Sequence, residues 1–279
     1  MGQTQGSSPR ITTLSLPAHF TLLQVIPELE TGGAEQTALD VSAAVVRVGG
    51  RSMVASRGGR MNARLAEAGG QLLTMDLKTK NPIKIIANGL ALAALIKREQ
   101  VSLIHARSRA PAVSALIAAR LAKVPFLATY HGVYNARSGL KRFYNSIMTR
   151  GALTIANSDY TRAHVIAEHG VAPDKVIAIP RGVDLTRFDP AIVSAERVAA
   201  QRAKWGVEAD EKRLVLLLAG RLTRWKGQRL LIDALAALKA AGLGEVILIL
   251  AGDAQGRDGY RDELIAAAKA AGLEESVRL

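Results

Sequence analysis

The chain has 279 residues, 49% of them hydrophobic and 22% charged, which is the balance of a globular protein with enough material for two domains. Cysteine is absent, which excludes disulfides and thiolate metal sites and is compatible with a reducing compartment; the 4% aromatic content argues against stacking platforms for single-stranded nucleic acid. Residues 206–279 carry 11 basic and 11 acidic groups, leaving 26 basic and 13 acidic groups, and so the whole net charge of +13, in the first 205, a field that attracts nucleic acid, acidic lipid headgroups or a phosphorylated acceptor.

Residues 1–18 are rich in Ser, Thr, Gly and Pro and have no apolar h-region, so they read as a loose tail rather than a signal peptide. Gly2 fails as a myristoylation site because Gly6 stands where Ser or Thr is needed. The run Ile83 to Ile96 is too short to span a membrane, which takes roughly 20 apolar residues, and Lys84 and Asn88 interrupt it.

From residue 21 onward, strand and helix patterns alternate with short connections. Strands are expected at 21–26, 52–56, 71–76, 101–106, 125–130, 152–157 and 175–179, with helical patterns between them, such as 83–98 and 110–123. Repeated strand–helix units imply a parallel sheet covered on both faces. After the first strand, Pro27 to Glu35 brings paired glycines, Gly32 and Gly33, to a helix start, where the backbone can approach a ligand closely. A plain tight turn gives the same pattern. His105 and His131 each end a strand, and Gly132 follows His131; a lone His is more often structural, but a strand exit beside Gly favours a site.

Residues 137–150 hold Arg137, Lys141, Arg142 and Arg150 and no acid, with Leu140, Phe143, Ile147 and Met148 on one helical face. Such a helix suits an anionic membrane surface, and equally a core-packed helix with a solvated basic face. Asn157-Ser158-Asp159 precedes a helix that Ser158 or Asp159 can cap. Residues 185–212 are charged, Ala-rich and poor in strand pattern, so the domain boundary is expected at 205/206.

A second domain opens with Leu214 to Ala219, an apolar run expected to form a buried parallel strand, and then the loop Gly220-Arg221-Leu222-Thr223-Arg224-Trp225-Lys226-Gly227 before a helix. Two cations, Arg221 and Lys226, thus stand at a strand exit and a helix start, where a phosphate is the natural guest; an ordinary solvated basic loop has the same spacing. It is not a Walker loop, because Lys226 precedes its Gly and no Ser or Thr follows, and no G-x-G-x-x-G opens a helix. Val246 to Ala251 reaches a further strand exit at Gly252-Asp253, a helix follows at 261–271, and Val277 begins another strand.

Taken in order, Gly-Gly-Ala-Glu (32–35), His-Gly (131–132), Asn-Ser (157–158), Pro-Arg-Gly-Val-Asp (180–184), Gly-Arg-Leu-x₃-Lys-Gly (220–227) and Gly-Asp (252–253) resemble the GT-B glycosyltransferases of family 4 over residues 20–279. Arg181 departs from the family, which has Asn in that turn. The resemblance implies two Rossmann-like doubly wound domains, at 19–205 and 206–279, the second incomplete. It implies a retaining, metal-independent transfer of a sugar from a nucleotide-sugar donor, which is a substrate, so no cofactor or metal site is expected.

His131, Arg221 and Lys226 are the implied catalytic residues. Gly32, Gly33, Gly252 and Asp253 join Arg221 and Lys226 in donor binding, and His105, Arg137, Lys141 and Arg142 lie on the acceptor side. The expected acceptor is a lipid-linked or anionic glycan of the cell envelope, handled in the cytoplasm or peripherally on the inner face of an anionic membrane, with no nucleic acid as partner. The family's Glu-x₇-Glu segment does not occur, so the sequence reads as C-terminally truncated. A GT-B sugar-nucleotide epimerase and a non-catalytic polyanion-binding remnant are the alternatives.

Overall fold

The computed structural model describes residues 15–134, 136–242, 245–256 and 258–279, so most of the expected tail lies outside the described residues. The chain forms two compact units, Met1–Gly182 and Val183–Leu279. The expected boundary at 205/206 therefore falls inside the second unit. The reason is packing: Trp205 and Val207 lie against Ile247 and Ile249 and tie the segment before them to the second sheet.

In the first unit, seven strands form one parallel sheet: β1 (Thr21–Val25), β2 (Arg51–Ser56), β3 (Gln71–Thr74), β4 (Leu103–Ala106), β5 (Phe126–Tyr130), β6 (Leu153–Ala156) and β7 (Val176–Ala178). Their order is β3-β2-β1-β4-β5-β6-β7. Between them run α1 (Gly33–Arg47), α2 (Asn62–Glu67), α3 (Pro82–Arg98), α4 (Arg109–Ala122), α5 (Gly139–Ser146) and α6 (Asp159–His169). β1 is buried along its whole length, as a central parallel strand is, and its two polar residues, Thr21 and Gln24, are buried with it.

The strand order reverses beside β1, between β2 and β4, and open α/β sheets bind ligands at such a switch point. The register sets Val25 level with Ala106 and Ala106 level with Ala128, so the exits of β1, β4 and β5 lie on one rim. Local signals then fix the helices. Asn81 caps α3 ahead of Pro82, and Ser158 caps α6 by accepting from the Thr161 amide, as its place in the sequence predicts. Gly170 ends α6 in the left-handed conformation.

The helix expected over 137–150 is shorter and its apolar face divides. After α5 the chain tightens into a 3₁₀ turn, Ile147–Thr149. Ile147 and Met148 reach the core, while Leu140 and Phe143 remain 80% and 55% exposed. The tighter turn carries the second pair round to the sheet, away from the face of the first.

The second unit contains α7 (Leu185–Phe188), α8 (Ala195–Lys204), β8 (Leu214–Ala219), α9 (Gln228–Ala240), β9 (Val246–Ala251), α10 (Asp258–Ala270) and β10 (Val277–Arg278). The parallel strand order is β10-β9-β8. Val246, Leu248 and Leu250 of β9 pack with Ile232, Leu235 and Leu264, while Ile247 and Ile249 meet Val207 on the other face. β8 is not the buried strand its composition predicts. It pairs only with β9, and Leu214 and Leu217 are 62% and 52% exposed, since among the described residues nothing covers its outer edge. No helix among the described residues is long and apolar enough to cross a membrane.

Candidate active site

Each unit gathers predicted site residues at the carboxyl ends of its strands. In the first, Gly32 caps α1 with no side-chain hydrogen bond, so the opening N–H groups of the helix keep their donors. Gly33 is exposed, and a Cβ there would overlap the guanidinium of Arg181. The same guanidinium donates from Nη2 to His131 Nδ1 at 3.0 Å. Since arginine has only donors, His131 Nδ1 accepts and the ring proton sits on Nε2. Asn157 Nδ2 donates to the His131 carbonyl at 3.1 Å, fixing the strand exit from the side of β6. The Asn-Ser pair thus has a structural task as well as capping.

His105 and His131 lie in different surroundings. His105 is only 3% exposed and bonds through Nε2 to Thr129 Oγ1 at 2.7 Å, so it braces β4 against β5 from within rather than meeting a ligand. Arg142 pairs with Glu168 at 2.8 Å, while Arg137, before α5, and Lys141, in its first turn, are exposed.

Arg107 escaped the sequence reading. It follows β4, is 2% exposed, and donates from Nε and Nη2 to Gln24 Oε1 at 2.9 and 2.5 Å. Gln24 in turn donates to the Ala38 carbonyl and Ser42 Oγ of α1. The partner of this buried guanidinium is a neutral amide, and no carboxylate pairs with it among the described residues. Burial, and secondarily Arg181, bring its pKa down to about 9, against the pull of the exposed Asp40. It stays charged at neutral pH. Its one signal in the sequence was a charged residue directly after an apolar strand.

Burial, then the charges of Arg107 and Arg181, push the His131 pKa down to about 3, and burial holds His105 well below its ordinary value. Both rings are neutral near pH 7. A depressed histidine stabilises the fold above the unfolded value of about 6.5 and loses that contribution as pH falls towards the folded value. Thermal melts between pH 7 and 5, above the range where carboxylates titrate, should therefore show stability falling with acidification. His131→Asn should flatten that slope; an equal slope in the variant would refute the assignment to His131.

In the second unit, β8 runs into Gly220 and Arg221. Arg221 is half-buried: its Nη1 donates to Gln255 Oε1 at 3.3 Å and its carbonyl accepts from Gln228 Nε2 at 2.9 Å. Gly227 adopts φ +82° and turns the chain into α9 with no side-chain cap, which leaves the first N–H groups of the helix free for an anion. Lys226 is exposed and its Nζ rests 4.5 Å over the Trp225 ring. Asp253 accepts from the Gln255 amide at 2.6 Å, shaping the loop opposite Arg221. Arg221, Lys226, Gly252 and Asp253 thus belong to one rim, as do Gly33, His131, Arg107 and Arg181 in the first unit.

Comparison with known proteins identifies the family and the fold. Residues 31–187 match the sequence model of Glycosyltransferase Family 4 and residues 200–279 that of Glycosyl transferases group 1. The D-inositol 3-phosphate glycosyltransferase of Kineococcus radiotolerans is 34% identical over 131 residues, which is 45% of this chain and 28% of that protein. An Escherichia coli UDP-Gal:α-D-GlcNAc-diphosphoundecaprenol α-1,3-galactosyltransferase is 33% identical over 120 residues, 39% of this chain and 30% of that one. The alignments thus span about three tenths of these curated relatives. Among solved structures, a glycosyltransferase from Rickettsia africae superposes with TM-score 0.78 at 30% identity, over 94% of this chain and 68% of that one. Anabaena HepE, solved with UDP-glucose, gives 0.76 at 24% identity, over 93% and 68%. With the family's own model covering more than half of its length and the GT-B fold shared with these structures, the chain belongs to glycosyltransferase family 4.

Proposed function

We propose that this chain carries the chemistry of a retaining, metal-independent glycosyltransferase that moves a sugar from a nucleotide-sugar donor to a lipid-linked or anionic glycan. The observation that carries this reading is the cation pair Arg221 and Lys226 beside the free N-terminus of α9. As the glycosidic bond breaks, the departing nucleoside diphosphate gains negative charge, which a cation pair beside a helix start can stabilise. Gly252 and Asp253 shape the same rim. In the first unit, the Gly32–Gly33 loop offers backbone N–H groups to a phosphate, and neutral His131 orients sugar hydroxyls.

The acceptor class rests on charge and surface. All the excess positive charge lies in the first 205 residues. Leu140 and Phe143 stand exposed beside Lys141, a pattern suited to an anionic membrane on the cytoplasmic side. Two relatives are named for acceptors bearing phosphate, an inositol phosphate and a diphosphoundecaprenol-linked sugar. The test presents the protein with UDP-sugars and a diphosphate-linked lipid acceptor in anionic vesicles, with and without EDTA. The expected product keeps the donor's anomeric configuration and forms undiminished in EDTA. Donor epimerised in the absence of acceptor would replace the transferase reading with the epimerase one. Leu140→Glu with Phe143→Glu should halve vesicle binding or better while leaving donor binding intact.

A further inference from the structure

In the second unit the exits of β8 and β9 are fastened to each other, and Gln255 carries that connection out to a side chain of the site. Leu222 N donates to the Asp253 carbonyl at 3.1 Å, and Gly252 lies so close to the Gly220 carbonyl that a Cβ would overlap it. Asp253 Oδ1 then accepts from the Gln255 amide at 2.6 Å, and Gln255 takes a left-handed φ of +50° that a residue with a long side chain seldom adopts. Glycine or asparagine would hold such a turn more easily, so the turn alone does not call for glutamine. What glutamine adds is reach: its Oε1 accepts from Arg221 Nη1 at 3.3 Å, across 34 residues of sequence. Arginine only donates, so the amide oxygen is the end that faces it. Among the described residues this is the one hydrogen bond of the Arg221 side chain, and no carboxylate forms an ion pair with it. Nε and Nη2 therefore keep their donors for an anion. A carboxylate at 255 would grip the guanidinium more firmly and cancel its charge; a neutral amide orients it and leaves the charge to a ligand. Gln24 holds Arg107 in the same way in the first unit.

We propose that Gln255 is a positioning residue for Arg221, fixing the orientation of its guanidinium while leaving the charge uncancelled for a diphosphate. The inference rests on the donor reading of the Arg221 loop for its role, though not for the contact itself. Asp253 then serves the site through Gln255: its carboxylate holds the turn from which the glutamine reaches back to the other strand exit.

The test uses the whole chain and follows the Arg221 Nε–H signal by NMR before any ligand is added, then UDP affinity by calorimetry. Gln255→Asn accepts the left-handed turn at least as readily but is one methylene too short to reach Arg221. Its melting temperature should match that of the native chain, while the Arg221 signal moves to that of a mobile arginine and UDP binds about three- to tenfold more weakly. In an Arg221→Ala background the same change should cost nothing further, since the residue it acts through is gone. Gln255→Glu keeps both length and acceptor, so the Arg221 signal should stay ordered, yet UDP should bind about tenfold or more weakly, with the loss shrinking at high salt. A purely structural glutamine would not separate order from affinity in this way. An Arg221 signal as ordered in Gln255→Asn as in the native chain overturns the proposal. So does a Gln255→Asn loss that persists in Arg221→Ala, or a Gln255→Glu chain that binds UDP as tightly as the native one. If Arg221→Ala itself leaves UDP affinity unchanged, or UDP does not bind at all, the donor reading falls, and the NMR comparison still decides whether Gln255 positions Arg221.

Discussion

Replacing Arg221 and Lys226 together by alanine should abolish measurable binding of UDP, and each single change should weaken it unequally. A hydrogen bond to a charged group contributes about 1.5–3 kcal/mol, and each 1.4 kcal/mol is tenfold in affinity. The Arg221 side chain is held by Gln255 and its backbone by Gln228, so less side-chain entropy is lost when a diphosphate arrives. Lys226 is exposed and rests on Trp225, from which it must be drawn. Arg221→Ala should therefore cost about 10- to 100-fold in affinity and Lys226→Ala nearer tenfold. Turnover should fall further, by about 10²–10³, because the charge on the leaving phosphate is greatest in the transition state. Calorimetry with UDP and a product assay with UDP-sugar separate the two effects. Equal UDP affinity in the double variant would end the donor reading of this loop. Neither side chain is in a hydrophobic core, so the melting temperature should stay within a degree or two.

Much of this was legible before any coordinates. Val246–Ala251 is a continuous apolar run, as burial on both faces favours, and Thr21–Val25 is apolar apart from Thr21 and Gln24. The strand exits followed, since a Gly or a charge after such a run marks where the chain leaves the sheet. The Ser158 cap was readable because capping is local. What stayed hidden depends on distant partners. Gln24 and Arg107 are 83 residues apart, and His131 and Arg181 are 50 apart, so the cation cluster exists only once the sheet order is known. The exposure of β8 was hidden for a related reason: its sequence is that of an interior strand, but its neighbours decide whether it is one. In 137–150 the helical period held through Ser146 and failed at Ile147, where a tighter turn changes which residues share a face.

The same substitution at two glycines of the second unit should act with opposite signs. A Cβ on Gly252 would overlap the carbonyl oxygen of Gly220 and stand 3.3 Å from the Arg221 amide. Both obstacles are backbone, and the backbone there is laced: Gly220 N donates to the Ala251 carbonyl at 2.9 Å and Leu222 N to the Asp253 carbonyl at 3.1 Å. Nothing can yield without parting the exits of β8 and β9. Gly252→Ala should therefore destabilise the unit by about 3 kcal/mol, at the upper end for overpacking, and should weaken UDP binding as Arg221 is displaced. Gly259, in the first turn of α10, has open space around its missing Cβ and no positive φ. Gly259→Ala removes unfolded-state entropy and adds helix propensity, so it should stabilise by up to about 1 kcal/mol and leave UDP affinity unchanged. Urea melts and UDP titrations of the two variants side by side make the comparison. If Gly252→Ala proved as harmless as Gly259→Ala, the close approach of the two strand exits, and with it the placement of Arg221 on the rim, would be wrong.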